Sequence, residues 1–470
     1  MEEKAITVDQ APFGRFHLKL FGYCAGGPFL TGYVLGDIAI ALAVMSAPGQ
    51  IEVDAAMSGL IGAGSLLGAI FGSLIGGYLA DKIGRKRMYL IDFAWLAAFS
   101  LAQLLIGSAA AAFACRLALG VGVGATFAIS GPLLAEFSPQ RNRGVLVSTQ
   151  NAMWYVGYGV SNVVCYLLLG LGDGAWRWML ASSAVPAVIW FICCLSMPES
   201  PRWLESQGRD ADVRAVLALI GPNVALAPEP KPEKQASYAD IFRGGYGKWV
   251  FFAAAFWSLS IIPTFSLGTY TPTIVAQLGF GDGNLQYLGT ALVNMLYLIG
   301  LVPTFTLIDT AGRRPTLIGS FAISAVALAA LGLTTNMNLP FWVVLTLFVL
   351  YGAANTAGGA HQYLYPNELF PTSVRATAVG LVTSISRITS TVATFATPFV
   401  MGALGVQATI LVSAGILLLG LVITVAMAPE TKGMNLSDAA ALTGGAKTPA
   451  ATGQPDGGSA AKAAKAAKAI

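Results

Sequence analysis

The sequence predicts an all-α membrane protein of twelve transmembrane helices in two six-helix bundles, with both termini cytoplasmic, and three observations lead there. The first is composition. Of 470 residues, 55% are hydrophobic, only 11% are charged and 54 are glycine, with a mean hydropathy of +0.68; soluble domains carry about a quarter charged residues. The second is spacing: apolar runs of about 20 residues, the length that crosses about 30 Å of hydrocarbon, recur along the chain between short polar loops. The third is duplication, because charged motifs of the first half return in the same order in the second.

The apolar runs place spans at 18–46, 56–80, 88–108, 110–135, 145–170, 176–197, 249–276, 284–308, 315–335, 339–366, 375–402 and 405–428. The first is too long for the apolar core of a cleaved signal peptide and is expected to be retained. Cys24, Cys115, Cys165, Cys193 and Cys194 fall inside spans, without the spacing of a metal site or a disulfide framework. They read as small packing residues.

Charge sets the orientation. With the N-terminus inside, 24 of the 27 Lys and Arg lie in the N-terminal segment, the even-to-odd loops or the C-terminal tail; Arg116, Arg177 and Arg387 are the exceptions. The net charge of +4 follows from this asymmetry. A lipid bilayer, and no nucleic acid, is therefore the expected environment.

The duplication fixes the organisation. Asp81-x-x-Gly84-Arg85-Lys86 matches Asp309-x-x-Gly312-Arg313-Arg314; "AEFSPQRNRG", with Glu136, Pro139 and Arg143, matches "NELFPTSVRA", with Glu368, Pro371 and Arg375; and "MPESP" at 197–201 matches "APET" at 428–431. The three offsets, 228, 232 and 231, are nearly one shift. The expected domains are a cytoplasmic N-terminal segment (1–17), an N-terminal bundle (18–197), a cytoplasmic middle segment (198–248), a C-terminal bundle (249–428) and a low-complexity tail (429–470). Trp203, Leu204, Val213, Val216 and Leu217 suggest short amphipathic helices in the middle segment. Repeats about an axis along the membrane normal are a common transporter design, with the solute held between them.

A carboxylate such as Asp81 at a helix end, with Arg85 four residues on and Gly84 allowing a tight turn, can form a charged latch. "GGYLADKIGRKR" resembles the signature loop of the major facilitator superfamily, and "IDTAGRRP" its second-half copy. "AEFSPQRNRG", "PESPRWL" and "YPNELFPTSVRATAVG" resemble elements shared by its sugar porters, metabolite:proton symporters and organic-ion transporters. The resemblance implies the major facilitator fold, alternating access by rocking of the two halves, and cytoplasmic gate networks formed by Asp81, Arg85, Glu136 and Arg143 and by Asp309, Arg313, Glu368 and Arg375.

Ionisable groups inside spans are costly, about 2.5–3.5 kcal/mol on insertion scales, and so are functional candidates. Arg116 lies 20 residues before Glu136, about 30 Å along a helix; Asp37 has a similar depth, so the two can pair. The resemblance implies proton coupling through such an acid on helix 1 and arginine on helix 4. The family pattern there is Gly-Tyr-Asp, whereas this chain has Gly32-Tyr33-Val34 with the acid one turn later.

Arg387 lies 12 residues beyond Arg375, about 18 Å into the membrane, in a segment similar to one in the organic-anion branch. With Asp37 and Arg116 cancelling, it leaves the cavity at about +1, which suits a carboxylate held bidentately. Trp154 and Tyr158 are one turn apart, as are Tyr33 and Asp37, and inward-facing rings would suit a flat solute. These residues and Gln362 form the expected substrate site. His361 reads as a packing residue. Gly64, Gly68, Gly72 and Gly76 give a stripe for close helix approach, static or sliding.

The expectation is a proton symporter for a small organic anion, with a sugar or polyol carrier as the alternative and a transporter-like sensor further behind. The glutamine pair and Pro-x-x-Trp of sugar porters are not seen in "SLSIIPTFSLGTYTP" and "GGAHQYLYPNE". No enzymatic constellation, metal site or cofactor is expected, and the chain is expected to act as a monomer in a bacterial inner membrane.

Overall fold

A computed structural model describes residues 6–226, 241–242, 245–280, 284–300, 307, 310–337, 339–359, 361–370, 372–432 and 434, and nearly all of them are helical. In the first half these are α1 (Arg15–Gly36), α2 (Ile38–Met45), α3 (Ala55–Ile83), α4 (Arg85–Ala102), α5 (Ala109–Phe137), α6 (Gln140–Leu168), α7 (Ala175–Ala181) and α8 (Ala184–Cys194), followed by short α9 (Pro201–Ser206) and α10 (Asp210–Ala218). The second half has α11 (Gly247–Thr269), α12 (Thr271–Val275), α13 (Leu285–Leu296), α14 (Arg313–Leu333), α15 (Phe341–Gly359), α16 (His361–Leu369) and α17 (Thr372–Met427). Among the described residues, ten helical stretches are long and apolar enough to cross a membrane, and Leu285–Gly300 is a shorter apolar one. The longest helix, α17, is broken at Gly405, whose φ of 79° and ψ of 171° lie outside the helical region.

Caps mark where helices start. Asp54 accepts from the Met57 amide at 2.7 Å to open α3, and Ser108 accepts from Ala111 to open α5. Gly84, with φ of 102°, joins α3 to α4 in a backbone conformation that only glycine adopts without strain. Gly312 opens α14 with the same φ.

The helices pair in a pattern that repeats. In the first half α3 lies along α5, α1 along α6 and α4 along α8; in the second, α13 lies against α15, α11 along α17 and α14 against α17. Across the halves α3 meets α17 and α6 meets α13.

Glycine makes the closest approach possible. A Cβ at Gly68 would sit 2.1 Å from the Leu117 carbonyl oxygen, and one at Gly72 would sit 1.9 Å from that of Val121. The Gly64–Gly76 stripe therefore packs α3 onto α5 inside one half. It is a seam within the first half and not a surface between the halves. On α5 the alternate glycines serve two neighbours: Gly120 and Gly124 face α3, while Gly122 faces Leu96 and Asp92 of α4.

The middle segment forms the expected short helices, with Leu204, Val213 and Leu217 buried together. Val8 completes this small core, because Ile6–Thr7 pairs in parallel with Val224–Ala225. That tie between the N-terminal segment and the middle helices has no counterpart in the sequence pattern.

Candidate functional site

Asp37 lies at the junction of α1 and α2, and Arg116 reaches it from α5. The Arg116 Nη1 donates to Asp37 Oδ1 at 2.8 Å and its Nη2 donates to the Val34 carbonyl at 2.6 Å. Both side chains are fully buried. Gly64 leaves room for the arginine, since a Cβ there would lie 3.1 Å from Arg116 Cβ, and Ser65 Oγ donates to the Arg116 carbonyl. Val34 occupies the position where the family pattern has its acid, and it is three residues from Asp37. One turn of helix thus brings both positions to the same guanidinium. Asp37 Oδ2 and Arg116 Nε have no hydrogen-bond partner among the described residues, so the pair is held by a single charged contact.

A second cluster lies between the two halves. A cavity of about 40 Å³ is lined by residues that include Phe127, Trp154, Phe265, Asn355, Gln362 and Arg387. A smaller one shares Trp154 and Asn355 with it and adds Tyr158, Tyr297 and Tyr351. Trp154 stacks on Tyr158 with centroids 5.3 Å apart, and Phe265 meets Trp154 edge-on at 6.0 Å. The Arg387 guanidinium lies 5.0 Å from the Phe127 ring centre, a cation–π distance. Gln362 donates to Ser260 Oγ at 3.1 Å, and Asn355 donates to the Ser260 carbonyl and to Thr264 Oγ1, both at 3.0 Å. No carboxylate lines either cavity among the described residues.

The structure thus brings Arg387, Gln362, Trp154 and Tyr158 together and leaves Tyr33 out. The phenol of Tyr33 bonds to Ser182 at 2.9 Å inside the first half, because the rotation of α1 that turns Asp37 towards Arg116 points Tyr33 at α7 and its flank. Asn355, Thr264, Tyr155 and Phe127, which line the same cavity, were missed in the sequence. A polar Asn355 within the apolar "YGAANTAGG" was the available signal.

At the charged end, each half builds a network. Arg85 pairs with Glu136 at 2.9 Å, and Glu136 also takes the Ser200 hydroxyl. Glu199 accepts from the Lys86 amide at 2.9 Å, at the start of α4. In the second half Arg313 pairs with Glu368 at 3.3 Å, Glu368 takes the Thr431 hydroxyl, and Glu430 accepts from the amides of Arg313 and Arg314, each at 3.0 Å. Glu199 and Glu430 thus cap the positive ends of α4 and α14. Their role had not been assigned from the sequence.

Asp81 is exposed, and its carbonyl, not its carboxylate, accepts from Trp203 Nε1. Arg375 donates from Nε to the Phe370 carbonyl. Asp309 and the side chain of Arg143 lie outside the described residues. His361 is buried between Thr316 Oγ1 at 2.9 Å and the Gly358 carbonyl at 3.1 Å, as expected of a packing residue.

Halves touch at the end remote from these networks. Tyr270 donates to the Ser58 carbonyl at 3.0 Å, and Gly59 packs on the Phe395 carbonyl. A cavity of about 600 Å³ opens there, lined from both halves by residues such as Ser46, Asp54, Tyr270 and Gln286.

Comparison with known proteins places this architecture. The model of the sugar (and other) transporter family matches residues 20–442. The chain is 40% identical to the putative metabolite transport protein YaaU of Escherichia coli, over 93% of this chain and 97% of that one. It is 33% identical to the inner membrane metabolite transport protein YgcS of the same organism, over 95% and 98%. Among solved structures it resembles the xylose transporter XylE of Escherichia coli in a partially occluded inward-open conformation, with a TM-score of 0.75 and 21% identity over 90% of this chain and all of that one. The fold is therefore that of the major facilitator superfamily, the likeness at full length leaves neither half outside it, and the chain belongs to the sugar (and other) transporter family.

Proposed function

We propose that the protein is a proton symporter that carries a small organic carboxylate by alternating access, and that the Arg387 cavity is its substrate site. The observation that carries this reading is the cavity lining. A guanidinium, two amides and the rings of Phe127, Trp154 and Phe265 converge where no carboxylate is found among the described lining residues, and a fork of N–H donors matches a carboxylate bidentately. Trp154, Tyr158 and Phe265 supply flat surfaces for an aromatic acid. Asp37 is the proton site in this reading: protonation would dissolve its ion pair and leave Arg116 as the buried charge, a change of partners that a rocking carrier can use.

The resulting organisation has twelve spans. Leu285–Gly300 counts as the eighth, and the break at Gly405 divides α17 into the eleventh and twelfth. Bundles 18–197 and 249–428 then enclose the cavity, as the repeated helix pairs support. Both termini face the cytoplasm, by the distribution of Lys and Arg. A monomer in a bacterial inner membrane is consistent with the relatives.

Arg85–Glu136 and Arg313–Glu368 act as cytoplasmic gates, joined by Arg375, Asp81, Arg143 and Asp309 when the halves rock.

A neutral sugar or polyol is the second reading. It is favoured by the family and by Gln362, Asn355, Ser260 and Thr264, which offer the amides and hydroxyls that such solutes use. Thermal shift of the purified protein separates the two, since a ligand that binds the folded form raises its melting temperature. Benzoate should raise it and Arg387→Ala should remove that response, with xylose inert. A xylose response that survives Arg387→Ala would favour the neutral solute instead.

A further inference from the structure

A second buried carboxyl lies in the first half, and the function proposed above does not use it. Asp92 of α4 is 2% exposed. Its Oδ2 is hydrogen-bonded to the Thr126 hydroxyl of α5, and its Oδ1 has no partner among the described residues. Gly122 is what admits it: a Cβ there would sit 3.1 Å from Asp92 Oδ1 and 2.7 Å from Leu96.

Among the described residues, the surroundings hold no charge to balance an anion. Tyr89, one turn earlier on α4, gives its phenol hydrogen to the Cys24 carbonyl and accepts from the Gly27 amide. The titratable side chains around that phenol are Asp92 and the buried thiols Cys24 and Cys194, from α1 and α8. From α5 the facing groups are Thr126 and Gly122, which do not titrate. No Lys, Arg or His forms an ion pair with Asp92 among the described residues. Asp37, by contrast, has Arg116.

A carboxylate desolvated with one hydroxyl as its whole support is far costlier than the neutral acid, and buried groups in this position take up a proton instead. We propose that Asp92 is a second proton-binding site, a carboxylic acid that stays protonated at working pH. Its proton neutralises α4 where it crosses α5, ten residues from Arg116 along α5 and about 15 Å away. Ionic switching in the first half is thereby confined to Asp37 and Arg116.

Infrared spectroscopy of the full-length protein in lipid vesicles tests this without reference to any solute. The spectrum should hold a protonated-carboxyl C=O band between pH 6 and 8 that disappears in Asp92→Asn and shifts in Thr126→Val, which keeps the acid and removes the hydroxyl bonded to it. A protonated-carboxyl band left unchanged by both substitutions would mean that Asp92 is ionised and would overturn the assignment. A second arm rests on the symport reading. Asp92→Asn, an uncharged mimic, should retain proton-driven uptake of the solute that the wild-type protein takes up. Loss of that drive in a folded variant with normal solute binding would show that the proton leaves during the cycle, against the proposal. If the wild-type protein shows no proton-driven uptake, the symport reading fails and the infrared result still decides the state of Asp92.

Discussion

The two halves agree at their charged ends and part company in the middle of the membrane. Arg85–Glu136, Ser200 and Glu199 in the first half have their counterparts in Arg313–Glu368, Thr431 and Glu430 in the second, around glycines with the same φ of 102°. At mid-depth the first half buries its ion pair, Asp37 with Arg116, inside its own helices, whereas the second turns Arg387 towards the cavity between the halves. Duplication kept the charged networks. The groups that would distinguish proton from solute diverged.

The sharpest way to break this comparison is to remove one partner of the buried pair. Arg116→Ala leaves Asp37 without its cation, and breaking a buried pair in this way costs about 3–5 kcal/mol. Melting of the purified variant should fall accordingly, and the double replacement Asp37→Leu with Arg116→Leu should recover most of the loss. Full stability in Arg116→Ala alone would mean that the pair is not a closed unit of the first half. Arg387→Ala, by contrast, should weaken carboxylate binding by about 1.5–3 kcal/mol, the worth of a charge-assisted hydrogen bond. Binding calorimetry with benzoate measures it.

Much of this contrast was legible in the sequence. A rise of 1.5 Å per residue was enough to put Asp37 and Arg116 at one depth, and the family resemblance implied networks that include the ion pairs Arg85–Glu136 and Arg313–Glu368. Depth is a one-dimensional quantity and follows from counting. Rotation about the helix axis does not, because it is set by packing such as the glycine seam between α3 and α5. That is why Tyr33 was expected in the cavity and lies against Ser182, and why Asn355 was passed over. Asp92 was hidden differently: it sits in a run apolar enough to read as an ordinary span, "MYLIDFAWLAAFSLA", and has no second charge at its depth to draw attention.

If the Arg85–Glu136 and Arg313–Glu368 networks both act as gates, Glu136→Gln and Glu368→Gln should shift the balance between inward and outward states in the same direction, each by about 1 kcal/mol or roughly fivefold. Labelling of single cysteines at each mouth of the cavity reads that balance. A response to one substitution only would show that the duplication is structural and not functional.

The smallest effect concerns pH. Burial holds the Glu368 carboxyl above its ordinary value, against the opposing pull of Thr431 and Arg313. A carboxyl raised in the folded state stabilises most at low pH, and that contribution is lost as pH rises through its folded value. The melting temperature of the wild-type protein minus that of Glu368→Gln should therefore be most positive in acid and decline towards neutral pH. An increase over the same range would mean that Arg313 outweighs burial.

The most direct test of the coupling claim is uptake into vesicles under an imposed pH gradient, for the wild-type protein and Asp37→Asn, with whichever of benzoate or xylose raises the melting temperature. The wild-type protein should show gradient-driven accumulation that a protonophore abolishes, and Asp37→Asn should still exchange solute across the membrane but no longer accumulate it. Accumulation by Asp37→Asn equal to that of the wild-type protein, and equally sensitive to the protonophore, would contradict it.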